Sequence, residues 1–383
     1  MRTIVVSPYN VLNFTEGGGH FWVYMQYVQG LRQLGCEVYW LEQFVSGGEA
    51  EDQAKLAPFL ERMNAFGLNG QLLLYPTSDP KVSSGLPRSY VGRSRAEAEA
   101  IIDRADLLLN FHYAIAPELL ARFRRTALVD IDPGLLQFWI SRKQLAVPNH
   151  HLFFTTGETV GTPAACFPDC GLNWLRIRPP VSLECWPWTF DPHAQAFTTV
   201  SNWNGGDWIV DGPEVYENSK RVTFLEMSEL PNLTPQPLEL ALFLRTEKDA
   251  EERRLMESKG WRIRHSREVA NTPEKYQGYI QQSRGEFSCA KRSCMKFQNA
   301  WISDRTLCYL ASGKPVVVQN TGPSALLPNG EGMFRFSAAK EAARALEVIN
   351  SDYEKHSRAA RQIVETYFDA KHVVKDMLSQ ALS

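Results

Sequence analysis

The chain opens on a short apolar run, residues 3–7, followed by a loop at 8–19 that ends in three glycines. Residues 20–34 then place Phe21, Tyr24, Met25, Val28 and Leu31 at helical spacing, and Gly35 stops the pattern. Residues 36–41 (C-E-V-Y-W-L) return to a strand-like run. Strand, helix and strand within about 40 residues make a βαβ unit, which requires a parallel sheet. The alternation continues, with helices predicted over 50–66 and 94–104 and strands over 71–75, 107–110, 126–130 and 152–155. The stretch 148–188 is rich in Pro, Gly, Cys and Trp, and a linker is expected between about 175 and 195.

Beyond it the same rhythm restarts. Strands are predicted over 197–201, 238–244, 261–265, 285–289 and 315–319. Helices are predicted over 247–259, 273–282 and 304–312, with Thr272 and Ser303 as caps. The tail, 338–349 and 353–382, has helical periodicity. The pattern therefore predicts an α/β protein of two halves of similar size, each with a mostly parallel sheet. In such sheets ligands sit at the carboxyl ends of the strands, and the cleft between two facing halves is the expected site.

Composition narrows the function classes. The chain has 383 residues, 44% apolar and 22% charged, which fits two globular domains. A net charge of -2 argues against a dedicated nucleic-acid binder. No apolar run approaches the roughly 18 residues needed to span a bilayer, and the N-terminus reads as a strand rather than a leader. Seven irregularly spaced cysteines point to a reduced, cytoplasmic protein. Ten tryptophans are expected mainly in cores.

Three segments carry candidate chemistry. Glu16-Gly17-Gly18-Gly19-His20 follows a strand and leads into a helix. Gly18 and Gly19 let backbone N–H groups approach a phosphate, and His20, in the first helical turn, suits a general base. It is not a G-x-G-x-x-G fingerprint, so a dinucleotide site is disfavoured. The second segment runs from Arg284 to Leu327. Ser288, Lys291, Asp304, Arg305 and Thr306 surround a capped helix start, and cations beside free N–H groups are what a diphosphate needs. Thr321 and Gly322 follow the next strand. The third is Asn202-Trp203-Asn204-Gly205-Gly206, where Asn204 and Gly205 fit a second diphosphate-contacting loop. Lys220, downstream, reaches the cleft or is solvated. His112 follows a strand and is an active-site candidate, whereas His150 and His151 read as structural.

Ala311-Ser312-Gly313-Lys314-Pro315-Val316-Val317-Val318, followed by Thr321-Gly322, resembles the donor-site signature of GT-B glycosyltransferases of the family 1 and 4 kind. Leu31 to Val38 (L-R-Q-L-G-C-E-V) is similar to the family's opening. The resemblance implies a GT-B fold of two Rossmann-like domains, with an acceptor-binding N-terminal domain over 1–180 and a donor-binding domain over 181–355. A terminal helix over 356–383 would cross back to the first domain. It implies transfer of a sugar from a nucleoside diphosphate, UDP or dTDP, to a hydroxyl or amine of a small molecule, natural product or glycan. It implies no cofactor and no metal. Retaining members carry two glutamates seven residues apart, and the second position falls here on Cys308. Inverting members place a catalytic histidine in a Gly-His pair, matched by Gly19-His20. An aspartate orients that histidine; Asp106, Asp130 and Asp132 are candidates, and Asp130, at a strand's C-terminal end, is best placed. The expected activity is an inverting hexosyltransferase-like enzyme, monomeric or homodimeric. The alternatives are a nucleotide-sugar epimerase of the same shape, an oxidoreductase, or a silent nucleotide-sugar-binding module.

Overall fold

The computed structural model describes residues 1–78, 85–113, 115–204 and 208–383. The chain forms two compact units, one of Met1–Gly161, Pro168–Ser182 and Ala370–Ser383, the other of Thr162–Phe167 and Leu183–Asp369.

The first unit is built on a seven-stranded sheet. Its strands are β1 (Thr3–Ser7), β2 (Glu37–Val45), β3 (Leu72–Thr77), β4 (Leu107–Asn110), β5 (Thr126–Asp130), β6 (Leu152–Thr155) and β7 (Trp174–Arg176). They lie in the order β3-β2-β1-β4-β5-β6-β7, and every pairing is parallel. Sheets covered on both faces need strands that are apolar throughout, and β1 is buried at each of its residues. Helices Gly18–Gln33, Glu49–Ala65 and Arg95–Arg104 connect successive strands. Ser94 and Glu97 close a reciprocal capping box on the last of these. The strand β2 runs on to Val45, past the polar pair Glu42-Gln43 at which an apolar pattern would end it. Both side chains are buried and hydrogen-bonded. The short helix Leu135–Ser141 and the strand β7 fall in stretches too brief or too irregular to show a period.

The chain returns to this unit at its end. Helix Ala370–Ala381 packs on helix Gly18–Gln33. The contact is close because Gly30 carries no side chain: a Cβ there would lie 2.7 Å from the Ala370 carbonyl oxygen. Ala370 N–H donates to the Val181 carbonyl at 2.9 Å, and Ser182 N–H to Gln26 Oε1 at 2.7 Å. Gly30→Ala is expected to force these helices apart and cost about 1–3 kcal/mol, the range for overpacking. Thermal denaturation checks this, since an unchanged melting temperature would mean the contact gives way freely.

The second unit holds a six-stranded parallel sheet in the order β12-β11-β8-β13-β14-β15. Its strands are β8 (Phe197–Asn202), β11 (Leu238–Phe243), β12 (Arg262–His265), β13 (Gly285–Ser288), β14 (Val316–Gln319) and β15 (Met333–Phe336). Phe197, Phe224, Leu240, Trp261, Phe287, Val317 and Leu346 fill its core. An antiparallel hairpin, β9 (Trp208–Asp211) with β10 (Glu214–Glu217), stands apart from the main sheet. In each sheet the strand order reverses beside the first strand of the unit, at β1/β4 and at β8/β13. Loops diverge at such switch points and leave room for a ligand. No described helix is long and apolar enough to cross a membrane.

Candidate functional site

Alternation along β13 decides what faces the helix Asp304–Ala311. Phe287 enters the core, so Glu286 and Ser288 project from the opposite face. Arg305, second residue of that helix, meets them. Its Nε donates to Glu286 Oε1 at 2.7 Å, one terminal nitrogen to the Val200 carbonyl at 2.9 Å, and the other to Ser288 Oγ at 2.5 Å. Glu286 is 0% and Arg305 7% exposed. Burial works against the cation, but the Glu286 carboxylate outweighs it and holds the guanidinium above its ordinary range. Arg305 therefore braces the helix against the sheet, where the sequence reading had it as an open phosphate ligand. Ser288 accepts from Arg305 and keeps its own proton to donate, at present to the Cys289 carbonyl at 3.3 Å.

A pocket of about 330 Å³, including its open mouth, lies at the carboxyl ends of β13 and β14. Ser288, Trp301, Ser303, Thr306, Gln319 and Thr321 are among its lining residues. Gln319 Oε1 accepts from Ala290 N–H at 2.9 Å, and Thr321 Oγ1 donates to the Trp301 carbonyl at 2.7 Å. Gly322, at φ 121°, approaches the Gln298 backbone so closely that a Cβ would sit 2.6 Å from its carbonyl carbon. Only glycine fits there. Ser303 occupies the N-cap of helix Asp304–Ala311 without a side-chain capping bond, so its hydroxyl leaves the first-turn N–H groups to other partners. Asp304 opens the helix and is half-buried.

Lys220 completes the constellation. It begins helix Lys220–Glu226, and its Nζ lies 5.5 Å from the centroid of the Trp301 ring, which lines the pocket. Burial first, then repulsion from Arg305 and Lys291, pushes its ammonium down to about 7, against the opposing pull of Cys294 and Glu286. Lys291 is the N-cap of helix Arg292–Phe297, just after β13. Three cationic residues thus converge beside a helix N-terminus. The neighbouring Arg221 has a different task, pairing with Glu217 and Glu252 at 2.5 Å each. Periodicity cannot tell Lys220 from Arg221, and that is why the sequence left Lys220 between two roles.

Asn204, just after β8, is held by its own unit. Asn204 Nδ2 donates to Asp249 Oδ1 at 2.5 Å, and the buried Asp249 closes the capping box of helix Glu247–Ser258 with Thr246. The Asn204 side chain is thereby engaged by protein. Gly205, with Gly206 and Asp207, lies outside the described residues.

In the first unit, Gly18, Gly19 and His20 form the first turn of helix Gly18–Gln33. His20 Nε2 lies 2.7 Å from the Tyr9 carbonyl oxygen. A carbonyl only accepts, so Nε2 carries the proton and Nδ1 is the basic nitrogen of the neutral ring. The ring sits edge-on to Tyr24 at 5.3 Å, and Phe14 lies at 6.0 Å. Asp130 ends β5, fully buried. It accepts from Gln137 Nε2 at 2.9 Å, Thr155 Oγ1 at 2.8 Å and Asp132 N–H at 3.0 Å, and among the described residues none of its hydrogen bonds comes from His20. The structure thus brings His20 to Tyr9 and not to Asp130. Burial pushes the Asp130 carboxyl up to about 7, against the lowering effect of Gln137 and Thr155.

His112 is buried against Gln43, 3.2 Å away, with its ring 5.2 Å from that of Tyr9. His150 is held by the Pro148 carbonyl and Asn110 at 2.6 and 3.0 Å, and burial pushes it down to about 4, so it is a neutral structural group. None of the seven cysteines is in a disulfide. Among the described residues no three His, Cys, Asp or Glu side chains gather as metal ligands.

Two parallel-sheet α/β units, with candidate sites at the carboxyl ends of their strands, make this a GT-B fold. No family model and no curated protein sequence matches the chain. Among solved structures it is similar to Anabaena Alr3699/HepE in complex with UDP-glucose, at TM-score 0.61 and 13% identity over 99% of this chain and 100% of that one. It is also similar to an α-glucosyltransferase in complex with UDP and a 13-mer DNA, at TM-score 0.60 and 10% identity over 100% and 99% of the two chains. A third is the pneumococcal O-GlcNAc transferase GtfA in complex with UDP and GlcNAc, at 0.58 and 9% over 99% and 98%. Identities this low establish the fold and leave the activity to the site.

Proposed function

We propose that this chain is a glycosyltransferase that moves a sugar from a nucleoside diphosphate, UDP in the first instance, to an acceptor hydroxyl or amine. The observation that carries the proposal is the convergence of Lys220, Lys291 and Arg305 beside the start of helix Asp304–Ala311, whose N-cap Ser303 makes no side-chain capping bond and lines the pocket with Thr306. So much like charge around one carboxylate is costly unless an anion joins it. A diphosphate supplies that anion, and helix N–H groups with adjacent cations are the usual means of holding it. The three similar structures named above carry UDP or UDP-glucose, which favours uridine as the base.

In this reading Lys220 and Lys291 contact the diphosphate directly, while Arg305 keeps Ser288 and the helix start in place. Thr306, Thr321 and Gly322 shape the wall beside the sugar. The acceptor is a small molecule or glycan bound by the first unit near Gly18 and Gly19. His20 takes the acceptor proton on Nδ1 as the acceptor attacks the anomeric carbon, the bond to the β-phosphate oxygen breaks, and the configuration inverts. The negative charge left on the diphosphate is met by the lysines and the helix start, so no metal enters this scheme.

Thermal stabilisation of the full chain against UDP, GDP, dTDP, ADP and NAD tests the donor site, followed by incubation with the matching nucleotide sugars. A shift with one nucleoside diphosphate, with slow donor hydrolysis or transfer, is the expected result. A shift with NAD alone, or with none of the five, sinks the reading. Interconversion of two nucleotide sugars without an acceptor would replace it with an epimerase.

A further inference from the structure

The loop between β1 and helix Gly18–Gln33, residues 8–17, is long for a strand-to-helix turn and is fastened by an unusual anchor. Glu42, on β2, is 2% exposed. Its Oε1 accepts the Leu12 N–H at 2.8 Å and its Oε2 the Trp40 indole N–H at 2.8 Å, while the Val11 N–H adds a weaker pull on the carboxylate. Burial and then these three donors set its ionisation, and among the described residues no cation contributes. Burial pushes the carboxyl up to about 7. A buried carboxylate without a cation costs stability, and a glutamine or leucine in its place would cost less. Its three donors show what it holds, since two of them are backbone N–H groups of the loop.

The same loop carries the partner of His20. The Tyr9 carbonyl, two residues before Val11, accepts from His20 Nε2 at 2.7 Å and from the Tyr24 hydroxyl at 3.4 Å. Between Tyr9 and Val11, Asn10 stands at φ 61°, a left-handed turn that aims the two neighbouring residues differently. Val11 and Leu12 are 1% and 0% exposed and plug the loop into the core, while Tyr9 is 38% exposed. A second strap runs in parallel: Val45 N–H donates to Asn13 Oδ1 at 2.9 Å.

We propose that Glu42 is a positioning residue that, by clamping Val11 and Leu12, fixes the Tyr9 carbonyl and thereby the orientation and tautomer of His20. The proposal rests on the glycosyltransferase reading, in which His20 is the base. It assigns to the backbone of the β1 loop, with Glu42 behind it, the orienting task otherwise given to an acidic partner of the histidine. Glu42 does not touch the substrate. Its effect passes through two hydrogen-bonded steps, Glu42 to Val11-Leu12 and Tyr9 to His20.

The test compares wild type with Glu42→Gln. The amide cannot accept at both ends, so either Leu12 N–H or the Trp40 indole loses its partner. Four quantities are measured: backbone amide exchange of residues 8–17, kcat with the nucleotide sugar, donor KM, and thermal stabilisation by UDP. The expected result is faster exchange at Val11 and Leu12 with kcat lower by roughly tenfold or more, a part of the roughly hundredfold or greater factor that a well-placed general base contributes. Donor KM and the UDP shift should stay within about twofold, since they report on the second unit. Faster exchange with unchanged kcat overturns the proposal, as does unchanged exchange, or a donor KM that moves with kcat. Should Glu42→Gln not fold, Asn13→Ala loosens the same loop at the other strap, and the same split of kcat from donor KM decides. An inactive wild type would sink the glycosyltransferase reading, whereas an active variant with a loosened loop sinks only the role of Glu42.

Discussion

Lys220→Met should remove most of the affinity for the nucleotide diphosphate, by roughly ten- to a hundredfold, the loss expected when one charged hydrogen bond is deleted. Methionine keeps the length and apolar stem that pack against Trp301, so the fold should survive and even gain from losing a buried ammonium. The pH dependence is the sharper test. Burial and then Arg305 and Lys291 hold Lys220 down at about 7, below the ordinary lysine value. The folded state thus releases this proton more readily than the unfolded chain does. Its destabilising effect is complete below about pH 7 and is relieved as pH rises toward the unfolded lysine value. A bound diphosphate reverses the balance, because an anion beside Nζ favours the charged form. Affinity for a nucleotide sugar, whose own charge is constant in this range, should therefore fall as pH rises from 7 toward 9 in wild type and stay flat in Lys220→Met. Calorimetry at pH 8 in two buffers of different ionisation heat should register proton uptake on binding. Equal affinity across that range, with no proton taken up, would remove Lys220 from the site.

Arg305→Leu should strongly destabilise the second unit. It strands Glu286, which is fully buried and already has one oxygen without a partner. Removing one member of a buried pair costs about 3–5 kcal/mol, a fall of roughly 10 °C in melting temperature for a unit of this size. Glu286→Leu added to Arg305→Leu should recover most of the loss, because the uncompensated charge goes with it. If Arg305→Leu instead abolished UDP stabilisation without lowering the melting temperature, the guanidinium would be facing ligand rather than bracing the sheet.

The sequence announces the strands best where an unbroken apolar run is flanked by polar residues only at its ends. The runs over 3–7, 107–110, 126–130 and 152–155 coincide with β1, β4, β5 and β6 to the residue. It falls short where burial is achieved by satisfying polar groups. The strand β2 hides Glu42 and Gln43 behind partners that come from residues 30 and 69 positions away. The hairpin β9–β10 exposes Trp208 and Val210 while burying Ile209 between them, and two four-residue strands give too short an alternation to recognise. The site shows the same division. The helix start at Ser303-Asp304 and the Gly322 turn were legible from local chemistry, since caps and left-handed glycines depend on near neighbours. The direction of Arg305 was not, because it is set by which face of β13 carries Glu286. Asp130 looked well placed for His20 from its strand end, yet Gln137 and Thr155 claim its oxygens. The Tyr9 carbonyl, which holds His20, has no side-chain signature at all.

The returning helix gives the second unit the status of an insertion. The first unit is assembled from three stretches of chain, and the last of them, Ala370–Ser383, follows the whole of Leu183–Asp369 in chain order. Domains fold as units while the chain grows, so the second unit can finish while the first still lacks the helix that covers Gly30 and its neighbours on Gly18–Gln33. The His20 helix therefore gains its full packing only once residues 370–383, the last stretch of this unit in chain order, are in place.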